Sequence, residues 1–454
     1  MDDSLKEQVD LIRQVFAYAN RFKGRTFVFK IDYSIIDHPL FPVLVKDLVL
    51  LQRMGIQVVV VPGAKERIDE ILNRYDILCE VVNDVRISTP TAMPFIKMAA
   101  FDAANRVMTL LSGSNVSAVI GNWVGARSMG VISGVDFLEA GVVDRINLEM
   151  VRKALSDGLV PIFPCIGWNS VGKPYNISSD ELATMLSIEL KAEKLFFVTS
   201  ADGVTGDRYA LPDNPSIAED GHLARMTLSE AAVFLLLNGD RDRAPLLDVL
   251  RFAHRACAGG VQRVHILDGR VEGVALKEIF SNLGSGTMIY SNQYEQIRPM
   301  RPEDVSDVFR IMQPLVSKGV LVSRSRRDIE ESLADFVVYE VDGTIHGCAG
   351  LHRYSDGIAE ILGVAVDRRY ARYGIGHKLV EFLISRARNA GIPRVFVLTT
   401  QTSDWFERLG FRAGELSDIP ETKRSGYDRS RNSRILLLDV TAHLLPRDRV
   451  PGLE

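Results

Sequence analysis

The chain has 454 residues, 46% of them hydrophobic and 25% charged, with a formal net charge of −4. This is the profile of an ordinary globular protein with room for two or three domains, and it gives no basis for nucleic acid as the main partner. Four scattered cysteines (Cys79, Cys165, Cys257, Cys348) without a C-x-x-C pair point to reduced thiols and no metal site. A charged start and the lack of an apolar run near the ~18 residues a membrane span needs then lead us to expect a cytoplasmic protein free of membranes.

From Thr26 to about Ser285, short apolar runs alternate with helical periods. Thr26–Ile31 reads as a strand, Pro42–Met54 as a helix with Leu44, Leu48 and Leu51 on one face, and Gln57–Pro62 as a buried strand. A helix over Lys65–Tyr75 follows, then strands at Ser117–Gly121, Val160–Ile166, Leu195–Thr199 and Val264–Leu267. Continuously apolar strands separated by helices imply an α/β domain with a mostly parallel sheet covered on both faces. Pro212–Gly221 reads as a polar loop, and Ser285–Gln296 as a weak domain boundary.

Beyond the boundary, Ile297–Asp304 reads as a strand turning into a helix that runs to about Gly319, with a second helix near Arg327–Leu333. Strands follow at Phe336–Val341 and Thr344–Tyr354. The next segment is a β-branched strand ending at Val366, a basic turn containing Gly374 and Gly376, and an amphipathic helix. Arg394–Thr400 is a strand, Asp404 and Glu407 have the spacing of a capping box, and Arg434–Val440 closes the domain as a strand.

The strand, glycine turn and helix carry the most chemistry. Glycines let the backbone turn tightly and approach a ligand closely. The unpaired amides at the start of the following helix attract an anion, so the segment is a cradle for a pyrophosphate. Glu360 on the same strand is a candidate for removing a proton. Alone, a Gly-x-Gly turn more often marks a plain strand–helix junction, and a glutamate there a solvated edge residue.

This element order, with Trp405-Phe-Glu-Arg-Leu-Gly-Phe411 at the expected distance, resembles the Gcn5-related N-acetyltransferase (GNAT) family. The resemblance implies a GNAT α+β domain over residues 296–441. It also implies acetyl-coenzyme A held by Val364, Ala365, Val366, Arg372, Tyr373, Gly374, Ile375, Gly376 and His377. The turn's usual first arginine looks replaced by Ala371, and Phe406 stands where many members have a tyrosine acid. A protonated acceptor amine must lose a proton before attacking a thioester, and Glu360 fits that base.

Two basic clusters, Leu321-Val-Ser-Arg324-Ser-Arg326-Arg327 and Tyr427-Asp-Arg-Ser-Arg431-Asn-Ser-Arg434, flank this core. Guanidinium groups grip carboxylates through paired hydrogen bonds, so an acceptor with two carboxylates is expected. With Pro420-Glu-Thr-Lys423 and the two threonines Thr399 and Thr400, these segments resemble the bacterial N-acetylglutamate synthase family. That resemblance implies acetylation of L-glutamate by acetyl-coenzyme A as the first step of arginine biosynthesis. It makes Glu360 the base and Thr399 or Thr400 the source of a proton for the thiolate. Arg324, Arg326, Thr400, Tyr427 and Arg431 would line the glutamate site.

Residues 1–288 resemble the amino-acid kinase family, a three-layer α/β fold. The resemblance rests on Phe27-Val-Phe-Lys30, Val58-Val-Val-Val-Pro-Gly-Ala64, Tyr175-Asn-Ile-Ser-Ser-Asp180 and Val264-His-Ile-Leu-Asp-Gly269. Yet Asp32 and Tyr33 stand where two glycines are expected, Ser200 replaces an aspartate, and Leu246 a lysine. Phosphoryl transfer depends on positioning and charge neutralisation, so this domain is expected to be kinase-inactive. Arginine-inhibited relatives close an N-terminal helix and a C-terminal lobe over the effector. The counterparts here are Leu11–Phe22 with Tyr18, and His265, Glu278, Gly284 and Gly286. The resemblance thus implies feedback inhibition by L-arginine and a homo-oligomer, of hexameric form. Three alternatives stand beside this reading: a bifunctional synthase–kinase, a catalytically silent arginine sensor, and acetylation of another amine.

Overall fold

The computed structural model describes residues 15–16, 19–201, 203–212, 215–218, 221–239, 245–280, 285–291, 295–341, 343–370 and 374–441, the side chains of 295 and 369 excepted. Tyr18, Gly284, Arg372 and Tyr373, and half of the helix expected over Leu11–Phe22, lie outside these residues. The chain divides into two compact units, Met1–Asn292 and Gln293–Glu454.

The first unit is built on a nine-stranded sheet. Six strands run parallel in the order Arg263–Asp268, Lys194–Thr199, Thr26–Ile31, Gln57–Pro62, Val160–Ile162, Ala118–Ile120. Val58 to Val61 are each at most 1% exposed, so side chains pointing to both faces are covered and helices must lie on either side. Thr287–Tyr290 adds antiparallel to Arg263–Asp268, which makes the sheet mixed at that edge. The short strand Ser216–Ile217 lies within the expected polar loop.

The expected strand Val160–Ile166 is two strands. Val160–Ile162 stays in the large sheet, while Ile166–Trp168 joins a separate four-stranded sheet with Val124–Ser128, Gly141–Ile146 and Pro174–Asn176. Pro164 lacks an N–H for the ladder, so the chain leaves one sheet there and enters the other.

The second unit has one seven-stranded sheet: β1 (Glu295–Pro299), β2 (Phe336–Val341), β3 (Thr344–Arg353), β4 (Ile358–Val366), β5 (Arg394–Thr399), β6 (Arg412–Ala413) and β7 (Arg434–Asp439). Their spatial order is β1-β2-β3-β4-β5-β7-β6, and β4 and β5 are the parallel pair. Helix α1 (Val305–Ser317) contributes Val308, Ile311 and Met312 to a core with Phe336 and Cys348. Helices α2 (Arg326–Glu331) and α3 (Ile375–Asn389) follow, and α3 buries Leu379, Val380, Leu383 and Ile384 against Ala359 and Ile361 of β4. Two short helices, α4 (Ser403–Arg408) and α5 (Glu421–Ser425), complete the unit.

The expected capping box at Asp404 and Glu407 is absent. The cap of α4 is Thr402, without a side-chain cap bond, and Asp404 already lies inside the helix. Ser325 and Asp328 form such a box instead, at the start of α2. Among the described residues, no helix is long and apolar enough to cross a membrane.

Candidate active site

One irregularity in β4 shapes the centre of the second unit. Between β3 and β4 the register runs His352↔Glu360, Leu351↔Ile361 and Gly350↔Leu362, then resumes at Cys348↔Ala365. Gly363 and Val364 therefore face Ala349 alone, a bulge made possible by φ +61° at Gly363. A bulged strand bends. Accordingly β4 pairs with β5 only over Ile358–Glu360, and the two strands then part. Glu360 sits at the apex of the split, with Val364–Val366 along one wall. Thr399 ends the other wall, where β5 pairs with Arg434 of β7.

Glu360 is 5% exposed. Its Oε2 accepts from the Tyr354 hydroxyl at 2.9 Å and lies 2.8 Å from Nζ of Lys423 on α5. Among the described residues no hydrogen bond is made to Oε1. Burial, followed by the charge of and hydrogen bond to Glu360, raises the pKa of Tyr354 well above the usual tyrosine range; Arg324 opposes the rise. The phenol therefore stays protonated and donating. Behind it, the His352 ring meets the Tyr354 ring edge-on at 4.8 Å, and His352 Nδ1 lies 2.7 Å from Asp335 Oδ2.

The two basic clusters converge. Arg431 donates to the carbonyls of Gly319 and Val320 at 3.1 and 3.4 Å, tying the turn before β7 to the loop that carries Arg324. Arg324 lies over the Phe336 ring at 5.8 Å, and that ring packs against the Gly363 bulge. Arg326 points elsewhere, over the Phe309 ring at 5.4 Å. The Tyr427 hydroxyl donates to the Ser433 carbonyl at 2.6 Å, so it fixes the turn's shape. Thr399 Oγ1 is 2.7 Å from Thr402 Oγ1 and accepts from the Thr402 amide, whereas Thr400 Oγ1 is shielded and has no hydrogen-bond partner.

At the start of α3, Gly374 takes φ +67°, and the first helical bond runs from the Lys378 amide to the Gly374 carbonyl. Amides in the first turn of a helix are available to donate to an anion, and those of α3 begin at Ile375. A Cβ on Gly374 would meet nothing within 4 Å, which leaves that side of the turn open. The unit therefore joins a glycine-led helix start to a split sheet whose apex holds a carboxylate. Sequence reasoning missed Tyr354, Lys423, His352 and Asp335. They reach the site through strand register and packing; of the four, Lys423 alone lies in a segment the sequence had singled out, Pro420-Glu-Thr-Lys423.

In the first unit, Lys30 is 5% exposed and lies between Asp32 and Asp180, 2.7 Å from Oδ1 of Asp180. Burial works against its charge, but the two carboxylates outweigh it and raise its pKa above the usual lysine range. Asp32 thus neutralises the cation that a phosphate would need. Ser200 hydrogen-bonds Ser34 at 3.2 Å, and Leu246 is buried in the apolar core. Elsewhere in this unit, burial pulls the His265 imidazole down to about 4. The neutral ring hydrogen-bonds through Nδ1 to Glu278 Oε1 at 2.6 Å. Burial alone would push Glu278 up, but its hydrogen bonds with His265 and the Ser285 amide hold it below its ordinary value. The Ser285 amide donates to Glu278 Oε2 at 2.6 Å. Gly286 is demanded by close approach, since a Cβ there would lie 2.1 Å from the Ile266 carbonyl oxygen. Among the described residues, no cluster of three or more His, Cys, Asp or Glu could hold a metal ion.

Comparison with known proteins agrees with this architecture. Residues 25–268 match the amino acid kinase family and residues 306–411 the acetyltransferase (GNAT) family. The amino-acid acetyltransferase of Ralstonia nicotianae is 32% identical over 94% of this chain and 94% of its own. That of Escherichia coli K12 is 31% identical over 96% and 98%. The crystal structure of N-acetylglutamate synthase from Neisseria gonorrhoeae, complexed with coenzyme A and L-arginine, superposes with a TM-score of 0.82. It shares 29% identity and covers 95% of this chain and 99% of its own. A second structure of that enzyme, with coenzyme A and N-acetyl-glutamate, gives 0.59 at 30% identity over 95% and 99%. With an amino-acid-kinase fold joined to an acetyltransferase fold over nearly its whole length, the chain belongs to the amino-acid acetyltransferase family.

Proposed function

We propose that the protein transfers the acetyl group of acetyl-coenzyme A to the α-amine of L-glutamate, giving N-acetyl-L-glutamate and coenzyme A. The observation that carries this reading is the buried Glu360 carboxylate at the apex of the β4–β5 split, with Oε1 unengaged. The amides at the start of α3 take the pyrophosphate, helped by Arg372 and Tyr373 of the preceding turn. The thioester lies along Val364–Val366, where backbone N–H groups polarise its carbonyl. Glu360 removes a proton from the glutamate ammonium, directly or through one water. The amine then attacks the carbonyl carbon, the nitrogen gives up its second proton to solvent as the C–S bond breaks, and the thiolate takes a proton from Thr399, which is reprotonated from solvent through the exposed Thr402. Arg324 and Arg431 hold the substrate carboxylates, with Arg326 and Tyr427 supporting the walls and Thr400 offering a free hydroxyl.

The reaction is the first step of arginine biosynthesis, performed in the cytoplasm by a homo-oligomer, of hexameric form. The first unit, residues 1–288, serves as a regulatory domain without kinase activity, and residues 296–441 as the catalytic domain. L-arginine binds with its guanidinium on Glu278, near His265, Gly284, Gly286 and Tyr18, and inhibits the acetyltransferase. Such inhibition requires different arginine affinities in the active and inhibited states. Asp32 beside Lys30, with Ser200 and Leu246, speaks against a bifunctional synthase–kinase.

Release of coenzyme A, measured with glutamate, aspartate, glutamine and lysine as acceptors, tests this reading. Glutamate is expected to exceed the others in kcat/KM by at least about tenfold, because losing a carboxylate leaves an arginine without its partner. Faster turnover of lysine, or no release with glutamate, contradicts it. Repeating the glutamate assay with L-arginine, using the parent and Glu278→Gln, tests regulation; equal responses contradict the effector site.

A further inference from the structure

Two donors converge on a single oxygen of Glu360, and the acetyl-transfer reading above gives only the carboxylate a role. The Tyr354 hydroxyl and Lys423 Nζ both lie within 3 Å of Oε2. Tyr354 follows β3 directly and is fixed by its rings: His352 lies edge-on at 4.8 Å and Phe396 at 5.9 Å. Lys423 reaches the same atom from α5. Ile419, 2% exposed, anchors the chain before α5 against Ile358 and Phe396, the strand neighbours of Glu360. Tyr427 packs on the same cluster after α5, and its hydroxyl is tied to the Ser433 carbonyl. A five-residue helix is thus held at both ends over the carboxylate, with its lysine directed inward. The lysine side chain is 29% exposed, so the ammonium keeps one side toward solvent.

We propose that Lys423 is a positioning residue: its ammonium, with the Tyr354 hydroxyl, captures Oε2 of Glu360 so that Oε1 alone faces the acceptor amine. A carboxylate with two equivalent oxygens rotates to suit any donor. One with an oxygen held by two donors presents the other in a fixed direction, as proton abstraction needs. The other ionisable groups near this cluster are Arg324 and Asp335, whose charges both reach Tyr354, and His352, which is paired with Asp335. Among the described residues, Lys423 is the cation in direct contact with Glu360. This inference rests on Glu360 being the base of the proposed reaction.

The test is the steady-state kinetics of Lys423→Met, Lys423→Arg and Tyr354→Phe with glutamate, with Glu360→Gln alongside. Lys423→Met is expected to lower kcat roughly tenfold or more while KM for glutamate and for acetyl-coenzyme A changes little, because the base is present but no longer held in one direction. Lys423→Arg, which keeps a cation at Oε2, should bring kcat back toward the parent, and Tyr354→Phe should lower kcat more than it changes KM. A merely structural lysine would lower thermal stability and gain nothing from arginine over methionine, and a lysine that binds substrate carboxylate would raise KM for glutamate. Either result overturns the proposal. If Glu360→Gln is inactive while Lys423→Met keeps the parent kcat, this inference fails alone. A fully active Glu360→Gln removes the acetyl-transfer mechanism beneath it.

Discussion

Gly363→Ala is the substitution whose outcome follows most directly from the geometry of the split. At φ +61°, a side chain costs about 1–2 kcal/mol in backbone strain alone. The added Cβ would also lie 2.9 Å from Phe336 Cε1 and 3.1 Å from Cζ, closer than packed carbon atoms tolerate. Phe336 is fully buried, so relief comes from shifting the bulge, at an overpacking cost of about 1–3 kcal/mol. Gly357→Ala is the internal control, since its φ of +77° carries the backbone strain but its Cβ meets nothing within 4 Å. The difference between the two variants is therefore the steric part. At 2–4 °C per kcal/mol for a unit of this size, Gly363→Ala should melt roughly 2–12 °C below Gly357→Ala. Phe336 also carries Arg324, and the bulge lines the split, so coenzyme A binding and glutamate KM should worsen in Gly363→Ala alone. Scanning calorimetry and coenzyme A titration on both proteins read these effects. Equal melting temperatures with equal affinities would refute the view that a close-packed bulge opens the split.

Three further outcomes can be measured. Arg324→Ala and Arg431→Ala should each raise KM for glutamate by roughly 10–150-fold, the equivalent of losing charged hydrogen bonds of about 1.5–3 kcal/mol, with KM for acetyl-coenzyme A little changed. Lys30→Met should destabilise the first unit by about 3–5 kcal/mol in urea unfolding, because Asp32 and Asp180 lose their buried counter-ion. Neither it nor the parent should form ADP from ATP and N-acetylglutamate. Because burial depresses His265 to about 4, the unfolded state binds the extra proton at intermediate pH. The associated stability is therefore complete above about pH 6.5 and is lost as pH falls toward 4. Urea midpoints across that window should fall less steeply for His265→Gln than for the parent, and equal slopes would contradict the neutral-imidazole assignment.

The strands of both sheets were legible where apolar residues continue unbroken, as in Thr26–Ile31, Gln57–Pro62 and Phe336–Val341, whose ends agree with the reading residue for residue. Hydrophobic pattern could not divide Val160–Ile166 between two sheets, because both pieces are buried and only Pro164 marks the break. The four-stranded sheet escaped notice because its strands are short and mix polar with apolar residues, as in Val124–Ser128. Glu360 could be chosen from its place before the glycine turn. Its partners could not, since Tyr354 arrives through a strand register and Lys423 through the packing of Ile419 against Phe396. Nor did spacing reveal that Arg326 would turn toward Phe309, because successive residues at the start of a helix face different directions.

The steady-state rate of coenzyme A release by Glu360→Gln, with acetyl-coenzyme A and glutamate both saturating, tests the central claim. The replacement keeps the shape of the side chain and an acceptor for Tyr354, so the fold and coenzyme A affinity should persist. The loss of a general base predicts a fall in kcat of roughly 10²–10⁴, or about 3–5 kcal/mol of barrier. A Glu360→Gln enzyme that releases coenzyme A and forms N-acetylglutamate within a few-fold of the parent rate would contradict the account.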